Sequence, residues 1–298
     1  MPSTRGRLIY QLFRLLASGP DKKTSIEQQR ANFEGVAKYQ RMPPGMEVQP
    51  ANAGDIAVEW LRPTGTGDGR AILFFHGGSY TMGTFNTSRP FAALVAHASK
   101  TPAVLFQYRL APEHPFPAAL EDAIATYRWL VTQGISPHNV AFAGESAGGG
   151  IAMATAVSLR DQGDPLPAAI VCLSPWVDLG LTGESLTTRA RADPMMSRER
   201  LQSNAAHYVG QNAPYWPLIS PIYADLHGLP PMLIQVGDHE TLLSDSVRLA
   251  DRARQAGVDV TLEVWEGMWH VWQSFAGLAP EGKQALDKIG AFIRKHIG

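Results

Sequence analysis

The chain is short of several things, and each shortage closes a class of explanation. Its one cysteine among 298 residues, Cys172, excludes a disulfide framework and a cysteine-rich metal site. Cys172 lies in the apolar run 169–173, where a free thiol serves as core filling. No apolar run approaches the ~20 residues that cross a bilayer, so no integral membrane segment is expected. Charge is balanced: 26 Lys and Arg face 27 Asp and Glu, giving net −1 and a pI near 6.8. Without a basic excess there is no electrostatic hold on nucleic acid or on an acidic membrane. No two of the nine histidines are three or four residues apart, so there is no zinc motif, and no metal or organic cofactor is implied. Internal repeats and low-complexity segments are absent.

The N-terminus superficially resembles a leader, because Arg5 and Arg7 precede the apolar stretch 8–17. Gln11 and Arg14 interrupt that stretch and no small-x-small cleavage site follows. Residues 5–18 therefore read as an amphipathic helix stopped by Gly19-Pro20, and the protein as cytoplasmic. A second helix is expected over 25–39, with Ile26, Phe33, Val36 and Ala37 as its apolar face. Both helices precede any strand, so they stand outside a βα alternation and cover something.

After Pro43-Pro44-Gly45 the pattern changes. Strands are expected at 56–61, 71–75, 103–108, 140–143, 168–173, 232–236 and 260–265. Helices are expected at 87–98, 117–132, 151–159, 197–209, 241–256 and 281–296. Strands alternating with helices of this length predict an α/β fold, a mostly parallel sheet covered on both faces. The length suits one large domain with a small appendage. Ligands of such sheets sit at the carboxyl ends of the strands, and His76, Ser146, Glu240 and His270 each follow a strand.

Gly144-Glu145-Ser146-Ala147-Gly148 sits between the strand ending at Ala143 and the helix that follows. In a strand–turn–helix setting, Gly-x-Ser-x-Gly makes a nucleophile elbow. The turn is so sharp that side chains at 144 and 148 would strike the neighbouring strand and helix. A serine hydroxyl needs a base within hydrogen-bond reach, itself oriented by a third group. His270, on the loop after the last strand, stands where that base belongs; the other histidines fall on helices or ordinary loops. For the acid, Asp238 and Glu240 both follow the strand 232–236, and either can accept an imidazole N–H. Asp238 also fits a helix-capping role. The amides of His76-Gly77-Gly78 and of Ala147 are the candidate oxyanion donors, each worth about 3 kcal/mol. A phosphate cradle is excluded, since no Lys-[Ser/Thr] follows the glycines and there is no G-x-G-x-x-G.

Together these motifs resemble the hormone-sensitive-lipase-like branch of the α/β-hydrolases, the bacterial family IV esterases, over nearly the whole chain. His76-Gly-Gly-Ser79 is similar to the family's HGGG oxyanion motif, and Gly144-Glu-Ser-Ala-Gly-Gly149 to GDSAGG. Tyr108-Arg-Leu-Ala-Pro-Glu-His-Pro-Phe-Pro-Ala118 resembles a long family signature, and Ser174-Pro-Trp-Val-Asp-Leu179 another block. Three departures stand out: Ser79 for the third glycine, Glu145 for Asp, and Glu240-Thr-Leu for the family's Asp-Pro-Leu. The family acid lies thirty residues before the histidine, and that offset selects Glu240 over Asp238. The resemblance thus implies a serine carboxylesterase with the triad Ser146, Glu240, His270 and donors Gly77, Gly78 and Ala147. Arg109, Glu113, His114 and Asp178 are implied as structural supports of the elbow region.

It also implies a cap built from residues 1–45 and an insertion over roughly 185–220, on a catalytic domain spanning 46–298. A cap limits the acyl pocket, so a small-molecule ester with a short acyl chain is the expected substrate. Phe13, Phe33, Tyr80, Tyr208, Tyr215 and Trp216 are candidates for its lining or for packing between cap and core. A homodimer is an expectation of the resemblance alone. Two rivals use the same fold. A non-catalytic ligand receptor typically loses the histidine that is present here, and an amide, acyl-peptide or formyl hydrolase would keep all of this machinery.

Overall fold

Strands β3 (Ala71–Phe75), β5 (Val140–Glu145) and β6 (Ala169–Leu173) carry almost unbroken apolar sequence because both of their faces are covered. The computed structural model describes residues 1–16, 24–37, 41–67 and 69–298. With β1 (Met46–Ala53), β2 (Ile56–Pro63), β4 (Ala103–Phe106), β7 (Met232–Gly237) and β8 (Val260–Trp265), these strands form one eight-stranded sheet. Its order is β1-β2-β4-β3-β5-β6-β7-β8. The β1–β2 and β2–β4 pairs are antiparallel, and every other pair is parallel. This is the expected α/β-hydrolase arrangement.

Alternate side chains along the strands feed two cores. Leu73, Phe75, Phe142, Ile170 and Cys172 face α4 (Ala118–Thr132), α5 (Ala147–Gln162) and α8 (Leu243–Gln255). Ile72, Phe74, Ala141, Ala143 and Val171 face α3 (Phe85–Ser99) and α9 (Pro280–His296). Each fully buried large apolar side chain contributes about 1.5–3 kcal/mol. Parallel register keeps the carboxyl ends level, with Phe75 opposite Gly144 and Gly237 opposite Trp265.

The observed elements correct several boundaries. The edge strand β1 falls outside those expectations because most of its residues are exposed and Pro50 interrupts the alternation of its sequence, MEVQPANA. β4 ends at Phe106 rather than residue 108; Tyr108 leaves the sheet to stack on His76 at 4.0 Å between ring centroids. α5 begins at Ala147 rather than residue 151, so Gly148, Gly149 and Gly150 form its first turn instead of a loop. α4 begins after Pro117, which occupies the cap position, and α8 begins at Leu243.

The chain before the sheet forms α1 (Thr4–Leu16) and α2 (Ile26–Ala37). The expected Gly19-Pro20 stop and the expected end of the second helix at Tyr39 lie outside the described residues. α1 buries Gly6 and Tyr10, and Phe13 meets Trp269 and Phe275 edge-on at 5.6 and 5.2 Å. α2 is tied down by Arg30, which donates to the Thr81 and Ala111 carbonyls and forks onto Glu113 at 2.7 Å. Between β6 and β7 lie the short α6 (Ser185–Thr188) and α7 (Arg198–Val209). Tyr10 Oη donates to the Ala192 carbonyl at 2.9 Å, joining α1 to this segment. Among the described residues no helix is long and apolar enough to cross a membrane.

Candidate active site

Backbone collision fixes the turn between β5 and α5. Ser146 has φ 53° and ψ −122°, a strained conformation for a residue with a Cβ. Its N–H donates to the Leu173 carbonyl at 2.9 Å, and its own carbonyl accepts from Gly149 and Trp176 at 3.0 and 2.9 Å. A Cβ on Gly144 would stand 2.4 Å from the Gly148 oxygen, and one on Gly148 would stand 2.0 Å from the Phe75 oxygen. Those are the collisions the Gly-x-Ser-x-Gly spacing predicts. Ser146 is held at the N-terminus of α5, where the helix dipole favours negative charge.

Across the neighbouring strand end, the turn after β3 approaches this elbow. His76 stacks on Tyr108, its Nδ1 is 2.8 Å from the Gly77 carbonyl, and burial pushes its imidazole down to about 4. A neutral ring that props the turn is the consequence. Gly78 has φ +117°, and a Cβ there would stand 2.2 Å from the Met82 oxygen. The Gly77 amide, one of the three expected donors, is already engaged: it donates to Glu145 Oε1 at 3.2 Å. The Gly78 and Ala147 amides have no acceptor among the described residues, and neither does that of Ser79, which sequence reasoning passed over.

Glu240 and His270 are brought together. His270 Nδ1 lies 2.8 Å from Glu240 Oε2, with the carboxylate fully buried and the imidazole 5% exposed. Glu240 Oε1 accepts from Ser174 Oγ at 2.7 Å and from the Gly237 amide at 2.6 Å. Asp238 is not part of this pair; its Oδ1 accepts the Gly267 N–H at 2.6 Å. Burial opposes charge on His270. The hydrogen bond and charge of Glu240, with the charges of Asp193 and Glu145, outweigh it and raise the imidazole above its ordinary value. Ser146 is also 5% exposed, and among the described residues its Oγ makes no hydrogen bond to His270 Nε2. Such contacts often tighten only when substrate binds.

Two residues that hold this pair were not identified as doing so. Ser174 Oγ, besides reaching Glu240, accepts the Val271 N–H at 3.2 Å and so ties the acid loop to the histidine loop. Asp193 accepts the Thr241 amide at 2.7 Å and hydroxyl at 2.9 Å through Oδ2, and the Met195 and Met196 amides through Oδ1. The Ser174-Pro-Trp block hinted at the first; no local pattern marks the second.

The other expected supports lie further out. Arg109 pairs with Asp122 and Glu121 on α4, Glu113 holds Arg30 of α2, and Asp178 takes Arg248 at 2.8 Å. They anchor helices and loops rather than the elbow itself, and His114 is exposed. Among the pocket candidates, Tyr80 and Tyr208 are buried and stacked at 4.0 Å, linking the turn after β3 to α7. Phe33 lines a cleft of about 470 Å³ with Tyr108 and Arg30, while Tyr215 and Trp216 are exposed. Among the described residues no group of three His, Cys, Asp or Glu side chains is placed to hold a metal.

Comparison with known proteins bears on the fold and the family. A family described as alpha/beta hydrolase fold matches residues 72–274. An acetyl-hydrolase of Streptomyces hygroscopicus is 44% identical over 86% of this chain and 85% of its own length. An esterase of Acinetobacter venetianus is 36% identical over 84% of this chain and 82% of its own. Among solved structures, an esterase from the bacterial hormone-sensitive lipase family superposes with a TM-score of 0.95 at 45% identity, covering 100% of both chains. The esterase EstE5, in a crystal soaked with p-nitrophenyl butyrate, has a TM-score of 0.95 at 42% identity, covering 99% of both.

Proposed function

The chain belongs to the hormone-sensitive-lipase-like esterases of the α/β-hydrolase fold and is a carboxylic ester hydrolase, and from that premise we propose that it cleaves short-chain acyl esters through an acyl-enzyme on Ser146. The observation that carries this reading is the buried Glu240–His270 pair, 2.8 Å apart, on loops at the same sheet end as the strained Ser146 elbow.

In this reading Ser146 Oγ attacks the ester carbonyl while His270 Nε2 takes its proton. Glu240 keeps the imidazole in the tautomer that presents Nε2 as acceptor and stabilises the imidazolium that forms. The tetrahedral oxyanion is held by the Gly78 and Ala147 amides, with Ser79 beside them, since the Gly77 amide is engaged by Glu145. His270 then protonates the departing alcohol. Water, deprotonated by the same imidazole, attacks the acyl-enzyme and releases the acid and Ser146. The EstE5 soak with a butyryl ester supports a short acyl chain.

The cap belongs to the same proposal: residues 1–45 and roughly 185–220 cover the site. The Tyr10–Ala192 hydrogen bond and the Tyr80–Tyr208 stack support it. A cytoplasmic location and a homodimer, both carried over from the sequence reading, are part of the same proposal.

Hydrolysis of p-nitrophenyl butyrate by the protein and by Ser146→Ala tests the reading. The variant is expected to lose about 10⁵-fold or more in kcat while remaining folded, as for loss of a triad serine. A variant retaining parental turnover would overturn it.

A further inference from the structure

Glu145 stands directly before the nucleophile, yet no step above uses its carboxylate. Its Oε1 accepts the Gly77 N–H at 3.2 Å. The contact is also steric: a Cβ on Gly77 would fall 2.9 Å from Glu145 Oε2 and 3.0 Å from its backbone oxygen. The turn 76–78 is thus pressed onto the end of β5 at this one residue. From below, Tyr108 donates to the His76 carbonyl at 2.9 Å. The turn is therefore clamped at His76 and at Gly77, and the next amides, Gly78 and Ser79, are the ones left without acceptors among the described residues.

We propose that Glu145 is a positioning residue for the oxyanion turn: by accepting the Gly77 N–H it fixes the register that leaves the following amides free for the substrate's developing oxyanion. An acceptor side chain at 145 has to reach across from β5 to the start of the turn, and the glutamate does so here. The groups that face Glu145 are the Gly77 amide, the His270 imidazole and the Tyr108 phenol; His270 is also faced by Glu240 and Asp193. Removing the charge at 145 therefore leaves His270 two carboxylates and shifts its titration to lower pH.

The inference rests on the esterase reading, and the two fail separately. An active Ser146→Ala sinks that reading, whereas an inactive Ser146→Ala beside a fully active Glu145→Met sinks only this one.

The test compares Glu145→Met, which keeps the bulk but lacks a strong acceptor, with Glu145→Gln, which keeps the acceptor and removes the charge. Glu145→Met is expected to lower kcat on p-nitrophenyl butyrate by ~10- to 10²-fold with KM little changed, because a donor misplaced by an ångström loses most of its value. Binding of an alkyl trifluoromethyl ketone, whose adduct mimics the oxyanion, should weaken by the same factor. Glu145→Gln should return to within about fivefold of the parent, a neutral acceptor being roughly half as strong. Its acid limb of kcat/KM should lie below the parent's. Should Glu145→Met not fold, Glu145→Ala gives the same contrast with Glu145→Gln. Parental kcat in the acceptor-free variant, a loss confined to KM, or a glutamine variant no better than the methionine would each overturn the proposal.

Discussion

The two sides of the site are held by different forces. On the Ser146 side, two short segments, 76–79 and 144–150, meet mainly through shape, with the Glu145 and Tyr108 hydrogen bonds pinning the first. Gly144, Gly148 and Gly78 let main chains approach to distances that no Cβ tolerates. On the His270 side, Ser174, Asp193, Glu240 and His270 come from four separate loops tied by hydrogen bonds of 2.7–3.2 Å, Asp193 through Thr241. Excluded volume is indifferent to pH and salt but intolerant of a methyl group. A buried carboxylate–imidazole pair, by contrast, depends on protonation.

Each side can be broken in its own way. The largest effect is expected on the polar side: Glu240→Ala should lower kcat by ~10⁴-fold, as loss of a triad acid does, while Asp238→Ala, whose carboxylate holds the Gly267 turn and lies away from His270, should leave kcat near parental. Steady-state kinetics on both variants check this, and equal losses would mean that the histidine is oriented from 238. On the steric side, Gly148→Ala should cost about 3 kcal/mol or more, because the new methyl meets backbone rather than a side chain that can move. Denaturant unfolding reads that loss, and a stable variant would show that the elbow is less tightly packed than its geometry implies.

The smallest effect is a displacement along the pH axis. His270 is raised above its ordinary value, and its protonated form cannot accept the serine proton. The acid limb of kcat/KM should therefore have its midpoint above 6.5, and activity should rise as pH passes through it. The same group's contribution to stability runs oppositely: it is complete below the unfolded value and lost as pH rises through the folded one. A pH–rate profile with its midpoint below the ordinary imidazole value would mean that burial outweighs the neighbouring carboxylates.

The comparison also explains what was legible beforehand. The elbow and the glycine turn after β3 could be read because a close main-chain approach demands glycine, and glycine is visible in a sequence. The parallel strands could be read because burial on both faces demands continuous apolar runs. β1 could not, since pairing through backbone with an exposed face leaves its side chains unconstrained. Nor could the engagement of the Gly77 amide, because Glu145 and Gly77 are 68 residues apart and meet only where β3 and β5 lie side by side.

The sequence by itself determined the alternation that builds the sheet and the glycine spacing that strains the serine at the head of α5. Both follow from local sterics and burial along one chain. Tertiary structure alone decided which carboxylate meets His270, which amides remain free, and that Ser174 and Asp193 hold the acid loop. Those outcomes depend on hydrogen bonds between loops distant in sequence, whose partners are chosen when the strands fall into register.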